Sequence, residues 1–371
     1  MVWGDWLMPK YLIVLDKKAD KNILDNYEVS NVEIHLDIIA FANMTRDEAH
    51  RLSKNNLIKS VELDGKDSHD GVPDTRHDET TTSYAFKLMN IDKFHDEGLT
   101  GQGMKVAILD TGIQKHVNLK VEDGINVYDS SKSWNTDLAN AHGTTVAGVL
   151  NAQGLNGQVL GIIPDAKLYC VRIDDGTGPI NTVTWSSQIA GISWAVENGM
   201  DAVNCSFSSR IDNNARKVAF KAASDAGIAI FSSAGNNQPS GDSTSNTSRY
   251  PAKYPFVMAN ANITSSKERN PSSCIGHGLN FSNGGTKIPT TTASKNSTET
   301  SNQHYNSTGT SLASPATLGI YILYKQKYGE SKDKILQRMM VNAEKLGDPY
   351  WYGAGLPKYP TSNYLNIQIR G

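Results

Sequence analysis

The middle of the chain alternates unbroken apolar runs with stretches of helical period. Lys105 to Leu109, Lys167 to Ile173, Ala202 to Phe207 and Ile228 to Ser232 are short, β-branched and apolar, the pattern of strands buried on both faces. Between them, Trp185, Ile189, Ile192 and Val196 recur at helical spacing and stop at Gly199, and Asn214 to Ala226 forms a second helical stretch stopped by Gly227. This alternation predicts a parallel sheet covered on both faces. Upstream, Lys10 to Leu15 and Val32 to Leu36 read as strands with room for only a short helix between them. Met44 to Leu57 reads as a helix opened by the capping box Thr45-Arg-Asp-Glu48, and Ser60 to Asp64 as a further strand. Gly65 to Thr82 is polar and reads as an exposed linker able to enter an active site. Ser240 to Ser248 and Thr290 to Ser307 read as polar surface loops.

Size and composition narrow the class. The 371 residues exceed what one hydrophobic core organises, so a core domain with a smaller companion is expected. Net charge is −2 with no basic block, which argues against nucleic acid as a partner. No apolar run reaches membrane-spanning length, so no membrane partner is expected. Met1 to Lys10 lacks the basic and apolar regions of a secretory signal, so a cytoplasmic protein is the expectation, with nonclassical release as the alternative. Cys170, Cys205 and Cys274 are an odd set; the first two fall in strand patterns, and reduced, buried thiols without a structural disulfide are expected. Cys274, three residues before His277, reads as a loop cysteine beside a surface histidine rather than as a nucleophile.

Three segments carry chemistry: Asp110 ending Val106-Ala-Ile-Leu-Asp-Thr-Gly112, His142 in His142-Gly-Thr-Thr-Val-Ala-Gly148, and Ser311 in Gly309-Thr-Ser-Leu-Ala-Ser-Pro315. A serine hydroxyl is a poor nucleophile until a histidine accepts its proton and a carboxylate fixes the histidine's tautomer. Asp110 is expected at the C-terminal end of a buried parallel strand, where open α/β sheets place their sites. His142 and Ser311 each directly precede a helical pattern, and Gly143 and Gly309 permit close backbone approach.

In the order Asp, His, Ser, these segments resemble those of the subtilisin-like serine peptidases, the subtilases. Phe231-Ser-Ser-Ala-Gly-Asn236 resembles their oxyanion-asparagine segment, Val203-Asn-Cys-Ser-Phe207 their substrate-pairing strand, and Lys345 to Leu356 their C-terminal signature, so the resemblance runs from Ser83 to Pro360. It implies an α/β fold with a doubly wound, mainly parallel sheet and helices on both faces. It also implies a serine endopeptidase acting on protein or peptide substrates, with Asp110, His142 and Ser311 as triad. The oxyanion would be held by Asn236 and the Ser311 backbone N–H. Substrate would bind along Ser206, Phe207 and Ser208 and against Ser233, Ala234, Gly235 and Arg249. Residues 1–70 resemble the family's α+β inhibitory propeptide, an intramolecular partner, with a permanent N-terminal domain as the alternative reading, followed by a linker at 71–82 and the catalytic domain at 83–371. Matching Val61-Glu-Leu-Asp64 to the propeptide end puts the self-cleavage junction at Asp70, with Asp74 and Asp78 close behind.

Departures from the family pattern are informative. Arg249 stands where a pocket-floor glycine is usual, so a guanidinium there would favour Asp or Glu before the cut; it would otherwise point to solvent or pair with Asp242. Asn237 removes a rim charge found in some relatives, and Ser208 replaces a glycine. The loop Leu155 to Gly161 looks about two residues short for the family's tight calcium site, and Asn118 occupies its aspartate position, so no metal ligands are assigned there. No cofactor is needed for the chemistry, and calcium at other sites is left open. A silent peptide-binding or inhibitor-type relative, and a nonpeptidase hydrolase using the same triad, are the alternative readings.

Overall fold

The computed structural model describes residues 8–33, 39–69, 72–76, 83–176 and 182–361. At the N-terminus, β1 (Lys10–Leu15), β2 (Glu28–Glu33), β3 (Ile39–Asn43) and β4 (Ile58–Leu63) form an antiparallel sheet in the order β2-β3-β1-β4, with α1 (Arg46–Leu52) between β3 and β4. The expected capping box is present: Thr45 N–H donates to Glu48 Oε2 at 2.7 Å, and Glu48 N–H to Thr45 Oγ1 at 3.3 Å. Three expectations need correction. The strand at Val32 to Leu36 begins earlier, at Glu28; β3 had no counterpart; and the helix at Met44 to Leu57 ends at Leu52. The first helix is a single 3₁₀ turn, Lys21–Leu24.

Two further strands, β5 (Lys66–His69) and β6 (Val72–Arg76), lie in what the sequence presented as exposed linker; strand pairing and a buried Asp67 overrule its polarity. After the short helices α2 (Tyr84–Leu88) and α3 (Ile91–Asp96) come β7 (Lys105–Asp110), β8 (Val121–Asn126), α4 (His142–Asn151), β9 (Lys167–Arg172) and β10 (Thr182–Thr184). They are followed by α5 (Trp185–Glu197), β11 (Ala202–Cys205), β12 (Phe207–Ser208), α6 (Asn214–Asp225), β13 (Ala229–Ser233), β14 (Met258–Ile263) and β15 (Leu279–Gly284). The chain closes with β16 (Ile288–Thr292), β17 (Gln303–Thr308), α7 (Thr310–Tyr328), α8 (Lys332–Asn342) and α9 (Pro349–Tyr352).

Seven of these strands form one parallel sheet, β15-β14-β13-β11-β7-β9-β8. Alternate residues feed opposite layers, as the period of two requires. Val106, Ile108 and Phe231 pack with α4 and α7, while Ala107, Leu109, Val203 and Ile230 pack with α5 and α6. That second layer also receives Leu12, Val14, Ile39 and Phe41 from the N-terminal sheet, whose other face, Ile13, Leu15, Ala40 and Ala42, closes on α1. The small sheet is therefore sandwiched between its own helix and α5/α6. Two of its carboxylates also reach helix N-termini. Glu62 accepts from Asn214 N–H of α6 at 2.9 Å, and Asp64 from Ser186 N–H of α5 at 3.0 Å.

The segment Thr290 to Ser307 is not a plain surface loop. It holds most of the β16–β17 hairpin, whose buried Thr290 and Thr291 hydroxyls donate to the Thr145 and Thr144 carbonyls of α4, both at 2.7 Å. Polar threonine suits this interior because each hydroxyl has a backbone acceptor. Among the described residues no helix is long and apolar enough to cross a membrane.

Candidate active site

The sheet's C-terminal edge gathers the sequence-predicted residues. Asp110 ends β7 fully buried, and His142 opens α4. His142 Nδ1 lies 2.8 and 3.0 Å from the two Asp110 carboxylate oxygens. Facing a carboxylate, Nδ1 carries the proton and Nε2 is the basic nitrogen. The two elements are stitched at their ends. Thr111 Oγ1 accepts Gly143 N–H at 3.0 Å, and Asn140 Oδ1 accepts His142 N–H at 2.8 Å. Gly143 is required sterically, since a Cβ there would sit 2.2 Å from Gly112 O.

Ser311 lies in the first turn of α7, and its Oγ is buried without a hydrogen-bond partner among the described residues. Asn236, three residues past β13, accepts through Oδ1 from Thr310 N–H at 2.8 Å and Thr310 Oγ1 at 2.9 Å. Those bonds assign the amide's orientation, so Nδ2 faces the other way, buried and also without a described partner. A buried donor without an acceptor is costly to hold and marks a place where an acceptor is expected. Sequence reasoning missed Thr310. It also missed a buried relay in which Ser314 Oγ donates to Asn204 Oδ1 (2.8 Å), Asn204 Nδ2 to Ser206 Oγ (2.9 Å) and Ser206 Oγ to Ser311 O (3.0 Å). Asn204 sits in an apolar strand run, where a lone polar residue was the only available signal.

The predicted substrate-binding residues are brought together, and a segment of this chain lies along them. Strand β5 pairs antiparallel with Phe207 and Ser208 on one side and with Thr182 to Thr184 on the other. Just before Ser311's helix start, β6 pairs with β17, Val72 opposite Thr308. The two strands thus flank the Ser311 region. Asp70 and Asp78 lie outside the described residues, while Asp74 falls within β6.

Ser233 ends β13, with Ala234 and Gly235 next, and Arg249 N–H donates to Ala234 O at 3.1 Å. The Arg249 side chain lies half-buried against Gly235, where an added Cβ would come 2.9 Å from Arg249 Cδ, and its Nε is buried with no described partner. The pairing with Asp242 is not formed; that carboxylate caps Thr244 and Ser245 N–H instead. Asn237 is exposed. Cys274 is buried behind Gly235, and His277 is exposed and packs edge-on against Tyr350. Burial pushes the Cys170 and Cys205 thiols far up, which keeps them unreactive.

The loop expected to lack the family's tight calcium site has its polar groups paired within the chain. Asn118 Nδ2 donates to Val159 O at 2.9 Å and its Oδ1 accepts Leu155 N–H at 3.1 Å, so an amide donor occupies the carbonyl a cation would need. Among the described residues no three His, Cys, Asp or Glu side chains converge as metal ligands.

Comparison with known proteins agrees with this geometry. A profile of the subtilase family matches residues 101–355. The thermostable alkaline protease of Halalkalibacterium halodurans is 30% identical over 94% of this chain and 90% of its own length. Subtilisin DY of Bacillus licheniformis is 36% identical over 74% of this chain and 96% of its own. The crystal structure of fervidolysin from Fervidobacterium pennivorans superposes with a TM-score of 0.79 at 22% identity, covering 96% of this chain and 61% of that one; it supports the fold alone. A seven-stranded parallel sheet layered by helices, a hydrogen-bonded Asp110–His142 pair and these matches make the chain a member of the subtilase family of serine endopeptidases.

Proposed function

We propose that this endopeptidase is made as a zymogen that cuts itself after Asp70 and prefers Asp or Glu immediately before the scissile bond. Ser311 Oγ attacks the peptide carbonyl while His142 Nε2 takes its proton. The same proton is returned to the leaving amine, and water then releases the acyl group by the reverse sequence. Asp110 stabilises the imidazolium. The tetrahedral oxyanion is held by Asn236 Nδ2 and the Ser311 N–H.

The observation that carries the zymogen reading is the course of β5 and β6. One pairs beside Ser206, whose hydroxyl bonds Ser311 O, and the other pairs at Thr308, three residues before Ser311. Strand addition of this kind is how peptide substrates use an open sheet edge. The N-terminal domain then acts as inhibitor by seating its own tail in the site. The alignment with the Halalkalibacterium halodurans protease, which spans 94% of this chain, supports counting that domain as part of the enzyme. Arg249 supports the acidic preference, because its stem lies against Gly235 and its Nε is buried without a described hydrogen-bond partner.

Intact mass and N-terminal sequencing of wild type beside Ser311→Ala test the reading. The expected result is a wild type shortened to begin at Gly71 and a full-length variant. Both full length, or both cut alike, overturns self-processing. Arg249→Gly tests the preference separately. Its peptide-library profile should lose enrichment for Asp and Glu before the cut, and an unchanged profile removes Arg249 from the pocket.

A further inference from the structure

Asp67 and Arg216 lie 149 positions apart and form an ion pair in which both side chains are fully buried. Asp67 Oδ1 also accepts from Trp185 Nε1 at 2.8 Å, and Oδ2 from Gln188 Nε2 at 3.0 Å. Three donors on α5 and α6 thus converge on a carboxylate delivered by β5, the strand that occupies the substrate-pairing edge. Asp67 stands three residues before Asp70. We infer that this is a second specificity pocket, selective for an acidic side chain three residues before the residue that precedes the cut, with Arg216 as its cation. The inference rests on the proposed cut after Asp70 and extends it to a substrate signature, Asp-x-x-Asp, which Asp67-Ser-His-Asp70 itself satisfies.

The pocket is built independently of its occupant. Arg216 NH2 donates to Ile211 O at 2.7 Å, and Nε to Tyr254 Oη at 3.4 Å. The guanidinium carbon lies 5.4 Å from the Trp185 ring centroid and 6.0 Å from that of Tyr254. These contacts hold the fork in place when β5 is replaced by another strand. Main-chain bonds from β10 and β12 accept any sequence, so selection falls to side chains. An apolar side chain would leave a desolvated guanidinium without a counter-charge, and a lysine would repel it. Asparagine would keep a hydrogen bond from Trp185 and lose the charge. Gly65, two residues upstream, passes flat over Trp185, where a Cβ would come 2.5 Å from the ring.

The test uses self-processed wild type freed of its N-terminal fragment, with four fluorogenic peptides: Asp-Ser-His-Asp, Asn-Ser-His-Asp, Leu-Ser-His-Asp and Asp-Ser-His-Leu, each carrying the leaving group at its C-terminal end. The first should exceed the second and third in kcat/KM by about 10²-fold, the scale of an unpaired buried charge. Arg216→Gln should reduce those ratios to a few-fold while keeping the advantage of the first peptide over the fourth. Equal cleavage of the Asp-first and Leu-first peptides by wild type overturns the pocket, and this arm decides alone if Arg216→Gln fails to fold. Discrimination at the first position with none at the last supports the pocket and overturns the Arg249 reading. Cleavage of none of the four overturns both.

Discussion

Asn236 and Thr310 show how residue identity and residue orientation come from different sources. An asparagine after Phe231-Ser-Ser-Ala-Gly was legible in the sequence; which end of its amide faces the site was not, because Thr310, 74 positions away, decides it through two hydrogen bonds. Truncating Asn236 removes the only side-chain donor assigned to the oxyanion. Asn236→Ala should lower kcat by about 10²–10³, the scale known for subtilisin's own oxyanion asparagine, with KM nearly unchanged because the donor acts on the transition state. Steady-state kinetics on a peptide substrate checks this, and an equal loss in KM would place Asn236 in ground-state binding. Arg249 gives the same lesson. Its charge was readable, but its seat against Gly235 rather than Asp242, with its backbone N–H on Ala234 O, was not.

Among elements, strands buried on both faces were the most legible, since each is a short apolar run that no helix explains. β7, β9, β13 and the helices α5 and α6 fall within a residue or two of their predicted ends. Polar segments misled, because local polarity does not reveal an acceptor supplied from elsewhere. Thr290 and Thr291 are interior through α4 carbonyls, and Asp67 through α5 and α6. The loop after β7 supports a pH prediction. His116 Nε2 donates to Gln303 O at 2.9 Å and Nδ1 accepts Asn118 N–H at 3.0 Å, so the ring is held neutral, and burial lowers its pKa from 6.5 to about 4. A folded-state value below the unfolded one means stability present above pH 6.5 and lost as pH falls toward 4, by at most about 3 kcal/mol. Urea unfolding at pH 7 and pH 4 should show a smaller acid loss for His116→Gln than for wild type; equal losses would refute the assignment. Because Asn118 closes the neighbouring loop by hydrogen bonds, the pH 7 midpoint should be unchanged by EDTA or added calcium.

At the scale of the molecule, the N-terminal sheet is held by its apolar face on α5 and α6 and by Glu62 and Asp64 at the N-termini of those helices. A carboxylate there satisfies orphan N–H groups and meets the positive end of the helix dipole. Removing Glu62 should loosen the domain by about 1 kcal/mol, a factor of about five in its opening equilibrium. With Ser311→Ala blocking self-cleavage, limited trypsin digestion should remove the N-terminal domain about five times faster in Glu62→Ala than in its parent. Equal rates would mean that Glu62 contributes nothing to docking.

The sequence by itself determined the alternation of strands and helices, the layered parallel sheet, the three chemical segments and the asparagine proposed for the oxyanion. Each is written in local period or in contiguous residues. Only the tertiary structure decided what depends on partners far apart in the chain: the Asp110–His142 contact, the amide orientation of Asn236, the amide closure at Asn118, and the course of β5 along Ser208 with Asp67 on Arg216. Hydrogen bonds and ion pairs between distant positions leave no period in a sequence. They become definite when the packed core brings their elements within reach of one another.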